Sequence, residues 1–132
     1  MDLLDLTPKS DEIVITIVHP ATGETLKNND KSPMTITVYA PHSKEYKSVM
    51  NEQTNKRLKA MQSKGKNEIT AEDIEAATLE ILSKTTKEWN ITYGNESPKL
   101  TVSKAKEVYD KVFWIKAQIE AETQGYLDFM KA

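Results

Sequence analysis

His19 and His42 are the only side chains in this sequence whose ordinary pKa lies near neutrality, so they come first for proton transfer or metal ligation. Each stands beside a proline, in His19-Pro20 and Pro41-His42, at opposite ends of a β-rich stretch. A histidine-based metal centre sets two imidazoles a turn apart on one element and adds further ligands, which this spacing does not supply. Cysteine is absent, which removes thiolate ligands, a thiol nucleophile and any disulfide framework. Carboxylates are numerous, but they fall at the spacing of exposed helix faces, and no pair is set apart for acid–base work. Neither a G-x-S-x-G elbow, a P-loop nor a G-x-G-x-x-G turn occurs. The expectation is a protein that is not an enzyme, with no catalytic residue, no cofactor and no metal.

Charge offers a second kind of chemistry. Between Ser43 and Lys66, Lys44, Lys47, Lys56, Arg57, Lys59, Lys64 and Lys66 face only Glu45 and Glu52, a basic stripe that could meet phosphates. The next stretch carries Glu68, Glu72, Asp73, Glu75 and Glu80 with no basic residue, so two neighbouring helices of opposite sign answer one another. Every basic residue except Arg57 is lysine, whereas base-edge and bidentate phosphate contacts favour arginine. The balance favours an intramolecular or solvated role for the stripe.

The third candidate chemistry is apolar docking. Phe113-Trp114-Ile115 places large side chains about 100° apart around a helix, so a single core-facing stripe cannot bury all three. Either the chain bends there and all three enter the core, or one serves as an aromatic anchor for a partner. Tyr126, Leu127, Phe129 and Met130 offer the same choice between a docking tail and a partner-binding amphipathic segment.

Elements must position these groups. Residues 1–11 are polar around Pro8 and read as a loosely ordered arm, and residues 12–132 as one domain. Glu12 to Val18 alternates Ile13, Ile15 and Ile17 against Val14, Thr16 and Val18, which predicts a strand. Met34 to Tyr39 alternates in the same way and should pair with it antiparallel. The polar turns between them flank a short Glu24 to Lys27 segment, so residues 12–40 form a long-looped hairpin or a three-strand meander. Residues 43–132 read as helical. Tyr46, Met50, Arg57, Leu58 and Met61 stripe a helix from about Ser43 to Ser63, and Thr70 with Asp73 forms a capping signature for the next. That second helix, striped by Ile74, Ala77, Thr78, Ile81, Leu82, Thr85 and Trp89, is expected to stop near Asn90. A third begins near Ser103, and residues 103–130 form one helix or two. Three to four helices on one face of a small antiparallel sheet make an α+β domain.

Length and composition bound the rest. A chain of 132 residues buries only about two-thirds of its unfolded surface. Hydrophobic residues at 38%, charged residues at 29% and a net charge of -2 are ordinary for a globular domain. No apolar run approaches the roughly 20 residues of a membrane span, and the acidic Met1-Asp2-Leu3-Leu4-Asp5 does not read as a secretory signal. A cytoplasmic, protein-binding role is expected.

Four segments, H-P-A-T-G-E-T-L, M-T-I-T-V-Y-A-P-H-S-K-E-Y, K-T-T-K-E-W-N-I-T and S-K-A-K-E-V-Y-D-K-V-F-W-I-K-A-Q-I, resemble the small tail assembly chaperones of long-tailed bacteriophages. The likeness runs from about residue 12 to 130. It includes a tryptophan closing the middle helix, here Trp89, and a late aromatic-Trp-Ile-x-x-Gln element, here Phe113, Trp114, Ile115 and Gln118, with Val112-Phe113 where the family has a turn-like residue. The resemblance implies a protein of the infected host cytoplasm, not retained in the mature virion, that binds the tape measure protein and keeps it soluble. It further implies a longer form made by frameshifting that recruits the tail tube protein, and it leaves a homo-oligomer open. On this reading Phe113, Trp114, Ile115, Ile119, Tyr126 and Phe129 form the docking face. Two other readings stand beside it: a structural tail or neck component kept in the virion, and a nucleic-acid-binding protein using Lys44 to Lys66.

Overall fold

The computed structural model describes residues 2–6, 10–64 and 70–125. Leu3–Leu6 make a single 3₁₀ turn, with Leu3 and Leu4 exposed. Strand β1, Glu12–Thr16, turns Ile13 and Ile15 inward and Val14 and Thr16 outward, as the alternation predicts. Strand β2, Thr35–Tyr39, pairs with it antiparallel, Ile13 opposite Val38 and Ile15 opposite Ile36. The segment around Thr25 and Lys27 contributes only isolated bridges, to Val18 and Pro33. Asn28 ties this loop down. Its amide nitrogen reaches Ser32 and the Asn90 carbonyl, and its oxygen accepts from the Thr92 hydroxyl at 2.7 Å.

Two helices follow. Helix α1, Lys44–Lys64, starts on Ser43, whose buried Oγ accepts from the Tyr46 amide. Helix α2, Ala71–Lys84, opens on the reciprocal Thr70–Asp73 capping box that its sequence announces. It ends earlier than the periodicity suggests. At Thr85 and Thr86 the hydroxyls donate to the carbonyls of Ile81 and Leu82, each at 2.7 Å, and close the last turn. The chain then enters strand β3, Thr86–Asn90, which pairs antiparallel with β2 in the order β1-β2-β3. Trp89 therefore belongs to a strand and closes no helix. The third strand comes from a region that the apolar spacing assigns to helix.

Helix α3, Val102–Lys111, is capped by Thr101, and helix α4, Trp114–Gly125, follows a bend at Val112 and Phe113. The described part of residues 103–130 is thus two helices. One core joins Ile13, Ile15, Ile17, Ile36 and Val38 of the sheet side to Leu82 of α2, Ala105, Val108 and Tyr109 of α3, and Ile115 and Ile119 of α4. The architecture is α+β, with helices on one sheet face. Helix α1 takes little part, its principal neighbour being α2, and every described side chain from Thr54 to Gln62 is exposed.

Candidate protein-docking site

Phe113, Trp114 and Ile115 sit at the corner between α3 and α4, and the corner sorts them. The Val112 amide still bonds the Val108 carbonyl at 2.8 Å, and Ile115 restarts the ladder on the Val112 carbonyl at 3.0 Å. Phe113 points out, with 69% of its surface exposed. Trp114 packs half-buried against the core, and Ile115 lies within it. A bend is present, yet one aromatic remains outside. Ile119 is also buried, so neither it nor Ile115 offers a broad face to a partner. Tyr126 and Phe129 lie outside the described residues. Gln118 has a structural task, since its amide accepts from Val18 N at 3.1 Å and donates to Val18 O at 2.8 Å, like one rung of an added strand.

A well-formed cleft lies elsewhere. A cleft of about 730 Å³ opens between the three helices, walled by Tyr46 and Met50 of α1, Thr78 and Ile81 of α2, and Ile119 and Thr123 of α4. Its exposed lining is mostly apolar. Helical spacing carries the same faces beyond the cleft. Ile74, Thr78 and Ile81 share one face of α2, and Tyr46, Met50, Arg57 and Met61 one face of α1. Ile74 is 55% exposed and Met61 49%, so these helix faces stay open to solvent beyond the cleft. The α1 stripe was legible as periodicity. What the sequence did not reveal is that the stripe faces solvent.

Charge along this helix pair is arranged to hold it together. Lys56 Nζ lies 2.9 Å from Glu80 and Lys84 Nζ 2.5 Å from Glu52, each joining α1 to α2. Lys56, then Gln53, and further Lys84, hold the Glu80 carboxyl down at about 2. Lys44, Lys47, Arg57 and Lys59 are exposed and make no ion pair among the described residues. His42 sits at the mouth of the cleft with Nε2 3.0 Å from Asp11 Oδ1, while His19 Nδ1 accepts from the amides of Ala21 and Thr22 in its turn. Among the described residues no three acidic or histidine side chains are grouped to hold a metal ion. No helix among them is long and apolar enough to cross a membrane.

Comparison with protein-family models, with curated proteins and with solved structures gives no match for this chain.

Proposed function

We propose that this protein is a tail assembly chaperone that binds the tape measure protein of a long-tailed phage and keeps it soluble until tube subunits assemble around it. The observation that carries the reading is the largely apolar cleft walled by Tyr46 and Met50 of α1, Ile81 of α2 and Ile119 of α4, with Met61 and Ile74 exposed farther along α1 and α2. A cleft of this kind takes one row of apolar side chains from an amphipathic helix, and methionine adapts to varied shapes along it. A tape measure protein is a long helical chain with many such rows, which supports matching the two. Phe113 adds an exposed aromatic at the far end of α4. Ile115 and Ile119 serve docking indirectly, by fixing α4 as one wall of the cleft.

Co-expression tests the proposal. The tape measure protein is expected in the soluble fraction and in the pull-down with this chain, and in inclusion bodies without it. A tape measure protein equally soluble alone, and absent from the pull-down, contradicts the proposal.

A further inference from the structure

Strand β1 is one edge of the sheet, and alternate residues along it turn their backbone groups to opposite sides. The Ile17 amide donates to the Met34 carbonyl at 2.9 Å and the Ala40 amide to the Asp11 carbonyl at 2.8 Å, which marks the odd-numbered residues as those that bond β2. Glu12, Val14, Thr16 and Val18 therefore turn their amides and carbonyls to the open edge. Side chains close both ends of that edge. Ser10 Oγ accepts from the Glu12 amide at 3.2 Å, and the Gln118 side-chain amide holds both backbone groups of Val18. Between these caps the N–H and C=O groups of Val14 and Thr16 have no partner among the described residues. The Val14 side chain, on the sheet face away from the helices, is 62% exposed.

We infer that this edge pairs with the same edge of a second copy of the chain, antiparallel and two-fold about Val14, to make one six-stranded sheet. The register follows from what is free. With Val14 opposite its own counterpart, Thr16 stands opposite Glu12 of the second copy. Each Val14 amide then donates to the other Val14 carbonyl, and each Thr16 amide to the Glu12 carbonyl across the dyad, four bonds that form without breaking one. A dyad one residue later would set Glu12 against Val18, where the Gln118 amide already occupies the edge. A second copy suits this edge because symmetry supplies the match: no like charges stand opposite, and the two exposed Val14 side chains meet at the dyad. Two strands of five residues bury less than the roughly 1,000 Å² of a stable interface, so the pairing is weak and depends on concentration.

Because the chain has no cysteine, a single introduced one reports the pairing. In the full chain under mild oxidation, Val14→Cys is expected to form a disulfide-linked dimer at least tenfold faster than Phe113→Cys, whose position is as open to solvent. Val14→Pro removes the amide at the dyad and none that β2 uses, and Val14→Lys sets two ammonium groups against each other there. Sedimentation equilibrium should show the association constant lowered at least tenfold in both, with a far-ultraviolet melt confirming that each variant is folded. Equal cross-linking rates, a parent chain monomeric up to millimolar concentration, or a dimer of undiminished strength in the folded Val14→Pro and Val14→Lys chains would each overturn the pairing. A monomeric parent that still captures the tape measure protein would remove this inference and leave the proposed function standing.

Discussion

Tyr109 is fully enclosed, its ring edge-on to Trp89 at 6.3 Å and its hydroxyl 2.6 Å from Thr86 Oγ1. Burial pushes its phenol up to about 12. An unfolded tyrosine ionises near 10, so the folded state is favoured in full below that pH and loses the advantage as pH climbs through 12. The loss amounts to about 2–3 kcal/mol on ordinary linkage. Tyr109→Phe should cost about 1 kcal/mol at neutral pH through the missing hydrogen bond, and should flatten the alkaline decline. Thermal melts of both proteins between pH 7 and 12 check this, and a constant difference across the range would show that the phenol ionises as readily in the folded chain as in the unfolded one, because water reaches it. That one of Phe113, Trp114 and Ile115 must face away from a single stripe was legible from helical geometry, but which one was not. The outward member is set by the bend at Val112, which no glycine or proline marks.

At the scale of elements, the junction of α2 and β3 shows where periodicity misleads. Leu82, Thr86 and Trp89 stand at i, i+4 and i+7, the spacing of a helix stripe, and all three contribute to one buried region. They do so because the ladder between β2 and β3 shifts register between Thr37 and Val38, which places Thr86 and Trp89 on the same side across three residues. An unbulged strand would have shown a period of two and declared itself. The capping box at Thr70, by contrast, is local chemistry, and the sequence displayed it without ambiguity. The ion pairs between α1 and α2 also followed from sequence as opposed charge, though not their partners. Glu80→Gln should loosen this helix pair by about 1 kcal/mol at pH 7, within the range for pairs open to solvent. The Glu80 carboxyl is held below its ordinary 4.5, so its contribution is present above that pH and is lost as pH falls towards 2. Melting at pH 7 and pH 2 in low salt should show the variant weaker at the first and most of that gap closed at the second. A gap undiminished at pH 2 would assign the role of Glu80 to packing.

Across the whole molecule, the core is spent unevenly. The inward faces of β1 and β2 are met by α2, α3 and α4, while α1 leans on α2 and presents Met50, Leu58 and Met61 to solvent. A long helix kept half outside its own core leaves apolar side chains in water, and the proposed function uses that surface for the partner. The α+β class was readable from strands preceding helices, and the long first helix from its stripe. That open surface was not, because periodicity reports which residues share a face and is silent on whether anything packs against it. Binding at the cleft and the helix faces beyond it is the claim on which the proposed chaperone role turns. Its most direct test is the affinity of the tape measure protein for the parent chain and for a Met50→Asp, Ile74→Asp double variant, with melting temperature followed in parallel. The account predicts binding weakened at least tenfold, about 1.4 kcal/mol or more, with melting unchanged within a few degrees. Undiminished affinity in a folded double variant would contradict it.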